Sequence, residues 1–294
     1  MTLSMQALCS ISALICCGVV SGALADDLPS RASLWELGTQ ADTRLVSAVT
    51  AVAPGRDQLE LGWQVALKGK WKTYWRAPGD AGLPPDWDWA GSTNVADVSV
   101  GWPAPERMSV FGLDSYIYRN DVVLPLHVRL KNPGQAADLR LKVDYMVCEE
   151  ICVPLEARYR LFVPAGTAQP TAEAALIRLY EARIPHQKGP VSISAAQYET
   201  HCGKPRLTLT LAAALPKKAA IDVYVDGPDG VTYGRPVVAA DGRRLTLDVR
   251  GLKSVDPRKA EPIHLVLRPP AGQPIAWDGV PLASAQQTCV RAGS

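Results

Sequence analysis

Between Leu139 and Val163 the chain alternates with strict parity. The apolar residues Leu139, Leu141, Val143, Tyr145 and Val147 precede a break, and Val153, Leu155, Ala157, Tyr159, Leu161 and Val163 follow it, all odd-numbered. Period two on both sides is the strand period, because successive side chains of a strand point to opposite faces. The break holds two cysteines, Cys148 and Cys152, around Glu149-Glu150-Ile151. Folding the chain so that Cys148 faces Cys152 sets Val147 against Val153, Tyr145 against Leu155, Val143 against Ala157 and Leu141 against Tyr159. A one-residue slip would turn every apolar side chain to the wrong face. The loop is then three residues long, a common hairpin length. Directly opposed residues in an antiparallel pair lie about 4.5–5.5 Å apart, within reach of a disulfide. On one straight strand the two cysteines would be roughly 13 Å apart.

This register has a cost. It places Lys142 opposite Arg158 and Asp144 opposite Glu156, which diagonal contacts between Asp144 and Arg158 and between Lys142 and Glu156 would offset. Both cysteines fall on the even face, away from the core-facing residues. A bond closing so small a loop constrains little of the unfolded chain, and exposed disulfides tend to be the labile or catalytic ones. Glu149 and Glu150 disfavour a neighbouring thiolate, so exchange is expected to depend on a docked partner. Two other readings stand beside this one: a structural staple, and a soft Cu(I) site made of Met146, Cys148 and Cys152.

The rest of the 294-residue chain reads as β structure in two domains. Its 24 prolines and 23 glycines punctuate short alternating runs. In the first half these are "LVSAVTAV", "QLELGWQVAL", "VVLPLHVRL", "LRLKVDYMV" and "VPLEARYRLFV"; in the second, "VSISAAQY", "RLTLTLAAAL", "AIDVYVDG", "RLTLDVRGL" and "IHLVLRPP". "WRAPGDAGLPPDWDWAGS" is too irregular for a strand and too aromatic for a linker, and is expected to pack down as a structured loop. "PTAEAALIRLYEARIP" predicts a short helix, capped by Thr171, with Leu176, Leu179 and Tyr180 on one face and Pro185 as its stop. A net charge of +2 gives no sign of nucleic acid as a partner.

The first 25 residues are an apolar run ending in Ala23-Leu24-Ala25 before Asp26-Asp27, the pattern of an export signal cleaved after Ala25. The run lacks a Lys or Arg before its apolar core, and a membrane anchor is the competing reading. Cys9, Cys16 and Cys17 are read as leader residues. Four cysteines would remain in the exported chain, in an oxidising compartment where disulfides persist. Cys202 and Cys289 are expected to form a structural bond that closes a long loop, rather than a second redox pair. No other run is long enough to cross a membrane.

"DYMVCEEICVP" resembles the redox hairpin of the N-terminal periplasmic domain of the DsbD family of thiol:disulfide interchange proteins (protein-disulfide reductases), and is closer still to its ScsB-like branch, which is associated with copper tolerance. "GKWKTYWRAPGDAGLPPDWDW" and "WPAPERMSVFGLDSYIYRNDVVLPLHV" fit that branch in the same order. The resemblance implies an immunoglobulin-like domain with one redox-active pair, Cys148 and Cys152. That pair would be reduced by a transmembrane thiol carrier, separate from this chain, and would pass electrons through a mixed disulfide to periplasmic thioredoxin-fold proteins. It also implies an aromatic cap over the pair. Phe111 matches the cap, Tyr116 and Tyr118 follow it, and Trp71, Tyr74 and Tyr145 line the site, with Trp71, Tyr74 and Trp75 in a matching aromatic segment. The expectation is an all-β protein with a signal peptide (1–25), a redox sandwich (26–168), a helical linker (169–188) and a second immunoglobulin-like sandwich (189–294). No cofactor or metal is expected. A binding module with structural disulfides, or a copper-binding periplasmic protein, is the alternative function.

Overall fold

The computed structural model describes residues 29–187, 191–201, 204–215, 221–251, 262–269, 272–283 and 287–288. The expected export signal and the expected Cys202–Cys289 bond lie outside these. The first half forms β1 (Glu36–Leu37), β2 (Ala41–Ser47), β3 (Gln58–Leu67), β4 (Lys72–Gly79), β5 (Asp86–Asp88), β6 (Val95–Val100), β7 (Glu106–Val110), β8 (Leu113–Arg119), β9 (Asp121–Leu130), β10 (Ala137–Cys148) and β11 (Cys152–Val163). One sheet runs β1-β2-β3-β9-β6; the other runs β11-β10-β4-β8-β7, with β5 also on β10. The inner faces bury Trp63, Leu124, Leu126, Trp75, Tyr116 and the odd-numbered residues of β10. This is a two-sheet sandwich of the kind the alternation predicts.

After α1 (Ala174–Glu181) come β12 (Ile193–His201), β13 (Lys204–Leu211), β14 (Asp222–Asp226), β15 (Thr232–Tyr233), β16 (Val237–Val238), β17 (Arg244–Arg250), β18 (Ile263–Arg268), β19 (Ile275–Val280), β20 (Leu282–Ala283) and β21 (Gln287–Thr288). One sheet is built around β17-β13-β12 and the other is β14-β18-β19. The fold is all-β, two immunoglobulin-like sandwiches with one short helix between them. In the parallel pairing of β12 with β21, His201 faces Thr288, the residues immediately before Cys202 and Cys289.

Two local expectations are corrected. The stretch from Trp75 to Ser92 is not only loop: β4 continues to Gly79, and Asp86–Asp88 pairs with β10. Local composition hid this, because the ladder partners lie far along the chain. The helix begins after Glu173, not at Thr171, and no side chain caps it. The Thr171 hydroxyl instead donates to Ser47 O at 2.6 Å, fastening the helix entry to β2. The buried face is Ala174, Ile177 and Tyr180, while Leu179 is half exposed.

The two sandwiches share packing. Tyr224 of β14 lies edge-on to Tyr116, at 5.1 Å between ring centroids, and to Trp75. Beside them Arg107 of β7 is buried. Its guanidinium bonds both carboxylate oxygens of Asp222, Asp114 at 2.9 Å and Val223 O at 2.8 Å. Burial works against its charge, but Asp222 and Asp114 outweigh it and hold the group protonated.

Candidate functional site

The β10–β11 ladder has the register expected from parity and the facing cysteines. Val147 opposes Val153, Tyr145 opposes Leu155, and Cys148 opposes Cys152. Cys148 and Cys152 are joined by a disulfide with their Cα atoms 4.1 Å apart. The like-charge pairs are present too. Lys142 relieves them by bonding Asp144 at 2.8 Å and Glu156 diagonally at 3.3 Å, while Arg158 turns to Glu156 on its own strand rather than to Asp144.

The two sulfurs sit in different surroundings. Cys152 is exposed. Cys148, expected on an open face, is only 3% exposed. The outer face of the sheet is covered at this corner. Strand β4 pairs with the last two residues of β10, setting Lys72 opposite Cys148, and β8 pairs with β4. Tyr74, Ile117 and Cys148 therefore form a small outer cluster, with Met108 and Met146 packed on it. Methionine suits such a gap because its thioether is flexible and polarizable.

Tyr74 is the polar member of that cluster. Its hydroxyl donates to Cys148 Sγ at 2.9 Å and lies 3.7 Å from Cys152 Sγ. Burial pushes its pKa up, so the group stays protonated and remains a donor. Lys72 adds a cation that the local sequence does not reveal. Its ammonium bonds Glu149 O at 2.8 Å, at the start of the loop. Burial and the nearby Arg119 lower its pKa, with Glu149 opposing. Glu149 and Glu150 are both exposed in that loop.

The loop after β4 holds Tyr74 in place. Gly82 lies flat on the Tyr74 ring: a Cβ there would come within 2.2 Å of ring carbon, and its φ of +103° is one that glycine adopts freely. Leu83, Pro84 and Pro85 continue over the same face and, with Met146, Pro154 and Leu155, line a mainly apolar groove beside the disulfide.

The remaining residues singled out by sequence are dispersed. Tyr145 faces the core, 5.2 Å from Trp63. Tyr116 and Tyr118 point into the sandwich and bond the carbonyls of Tyr233 and Pro103. Trp71 is half-buried against the main core. Of the expected lining residues, Tyr74 alone is bonded to the sulfurs. Phe111 stands at the tip of the β7–β8 hairpin, fully exposed at 101%. Met108 and Ile117 of that hairpin, not its aromatic tip, pack on Cys148.

Phe111 and Gly112 form a two-residue turn, since Val110 pairs with Leu113. Both have positive φ, 51° and 80°, as a type I′ turn requires. Asparagine favours the first position and phenylalanine does not. Phe111→Asn is therefore expected to raise stability by about 0.5–1 kcal/mol in chemical denaturation. A loss of stability would mean that the ring contributes packing at the tip. A bulky ring kept in a strained, solvent-facing turn suits contact with another molecule better than folding.

Among the described residues there is no group of three or more His, Cys, Asp and Glu placed to hold a metal, and no helix long and apolar enough to cross a membrane. The immunoglobulin-like sandwich thus carries a disulfide with one exposed and one buried cysteine, the buried one bonded by a protonated hydroxyl. Residues 42–164 match the family model described as thiol:disulfide interchange protein DsbD, N-terminal, which supports a thiol–disulfide interchange domain in this part of the chain. The whole fold is similar to the crystal structure of the N-terminal periplasmic domain of ScsB from Proteus mirabilis. The TM-score is 0.63 at 21% identity, covering 84% of this chain and 96% of that one. At that identity the likeness speaks for the fold. No curated protein sequence matches the chain.

Proposed function

We propose that Cys148–Cys152 is a redox-active disulfide that relays electrons between a separate transmembrane thiol carrier and thioredoxin-fold proteins in the periplasm, the leader being removed after Ala25. The observation that carries this reading is the asymmetry of the two sulfurs. A donor thiolate attacks the exposed Cys152 Sγ. A new intermolecular S–S bond forms, the Cys148–Cys152 bond breaks, and its electron pair leaves on Cys148 as a thiolate. The Tyr74 hydroxyl stabilises that thiolate, a charge-assisted bond being stronger than the neutral one it replaces, before a solvent proton neutralises it. The donor's second thiol then attacks the mixed disulfide, leaving the donor oxidised and both cysteines here reduced by two electrons. Running the same steps in reverse hands the pair to an oxidised acceptor. The groove of Leu83, Pro84, Met146 and Pro154 offers the approaching partner apolar contact beside the disulfide. The cap expected at Phe111 is not seen here, because the ring stands free at the hairpin tip and Met108 and Ile117 cover Cys148 instead.

Equilibration of the protein with reduced thioredoxin, followed by acid quench and thiol alkylation, tests the proposal. The disulfide is expected to be reduced without denaturant, at a potential above about −300 mV, where structural disulfides no longer lie. A bond that stays oxidised under native conditions would overturn it.

A further inference from the structure

The disulfide corner is covered by two segments, the 79–85 loop over Tyr74 and the β7–β8 hairpin with Met108 and Ile117. Both meet at one carboxylate. Asp80 accepts a hydrogen bond from Asp114 N at 2.7 Å, and its own N–H donates to Asp114 O at 2.8 Å. This stitches the loop to the hairpin. The same carboxylate is bonded from the second sandwich, by the Thr232 hydroxyl at 2.5 Å and by the Arg250 guanidinium. Arg250 also reaches Gly112 O at the hairpin tip, 3.4 Å away. Arg235 donates to Ser109 Oγ at 2.9 Å.

Apolar packing does not do this work. Between the 76–84 segment and residues 225–233 lies a cavity of about 380 Å³. The loop is therefore tied to the second sandwich chiefly by hydrogen bonds at one end, and the Asp80 side chain is only 7% exposed there. Bonds to a buried carboxylate are charge-assisted and strong, and losing one partner leaves a desolvated group unpaired. Gly82, two residues further on, has no side chain of its own to anchor it. Its position on the Tyr74 ring depends on where Asp80 is held.

We infer that Asp80 is a positioning residue for thiol–disulfide exchange, through which the second sandwich, by way of Thr232 and Arg250, seats Gly82 on Tyr74 and keeps the Tyr74 hydroxyl on Cys148 Sγ. The inference rests on the exchange reading above and gives the second sandwich a role in it. Asp80 does not touch the sulfurs. Its effect on them passes through Tyr74, which makes it separable from a general contribution to folding by a double-mutant cycle.

The test uses dithiothreitol as reductant, on the full chain, reading both the rate constant for reduction of Cys148–Cys152 and the equilibrium constant against dithiothreitol. Asp80→Asn is expected to slow reduction about tenfold and to shift the equilibrium toward the disulfide, roughly the loss of one hydrogen bond to a charged group. Thr232→Val/Arg250→Met, which alters only the second sandwich, is expected to do the same. In a Tyr74→Phe background both effects are expected to vanish. Wild-type rates and equilibria in both variants would overturn the inference, as would an undiminished effect in the Tyr74→Phe background. If Asp80→Asn does not fold, the second-sandwich variant decides alone by the same criteria. A disulfide that exchanges with dithiothreitol but not with thioredoxin would sink the relay reading and leave this coupling standing.

Discussion

Alkylation of the reduced protein is expected to modify Cys152 about a hundredfold faster than Cys148, the rate of thiol attack following access to the sulfur. Cys152 ends the loop in the open. Cys148 is enclosed by Tyr74, Ile117, Met108 and Met146 and is 3% exposed. The same difference fixes the outcome of single substitutions. Cys148→Ser leaves an accessible thiol with no internal partner and is expected to accumulate a mixed disulfide with a thioredoxin-fold protein whose resolving cysteine is removed. Cys152→Ser leaves its thiol behind the cluster and is expected to trap almost none. Mass spectrometry of alkylated peptides and non-reducing electrophoresis check the two arms. Equal labelling of both cysteines would mean that the corner opens readily and that the roles of attacked and leaving sulfur are not set by this geometry. Lys72 and Tyr74 favour the same assignment. One puts a cation at the loop opposite Cys148, and the other bonds its sulfur directly.

Gly82→Ala is expected to disable exchange while leaving most of the protein intact. The substitution meets two obstacles together. An alanine at φ of +103° is strained, and its Cβ would sit 2.2–2.4 Å from three carbons of the Tyr74 ring. Neither is relieved by a rotamer change, because the ring is hemmed in beside Ile117 and Cys148. Either the loop lifts or the ring moves, at a cost of about 1–3 kcal/mol. In both cases the Tyr74 hydroxyl leaves Cys148. Reduction by dithiothreitol is expected to slow to the level of Tyr74→Phe, with a lower denaturation midpoint. If Gly82→Ala matches the wild type in both measurements, the loop does not hold the tyrosine, and the cover over Cys148 is looser than the packing indicates.

Legibility in the sequence varied with how local the cause was. The cysteine hairpin was readable in full, register included, because the odd-numbered apolar residues fix the faces and the facing cysteines choose among the registers that keep them. The strand Gln58–Leu67 matched its alternating run residue for residue. The helix was legible as a helix, and its buried face only in part: Tyr180 is buried and Leu176 packs on the core, but Leu179 is half exposed. Ala174 and Ile177 were chosen over Leu179 by the position of Val46 and Ala48, more than a hundred residues away. Strand β4 was not read as a strand, because its run lacks alternation and ends in proline and glycine, while its ladder partners are β8 and β10.

The site shows the same division. Sequence named Cys148 and Cys152 from spacing, and Tyr74 from a resemblance, but treated the even face of the hairpin as open. That inference follows for an isolated hairpin and fails at the corner, where β4 and β8 bring Tyr74, Ile117 and Met108 over one sulfur and leave the other bare. Nothing near Cys148 in the chain announces Lys72, Met108 or Asp80.

What the sequence determined by itself is the pair: period-two parity and a three-residue loop set two sulfurs directly opposite, since strand periodicity and turn length are local properties of the backbone. What only the tertiary structure decided is that the pair is unequal. Burial is a property of what packs from elsewhere, and strands some thirty to seventy residues upstream chose which sulfur to cover.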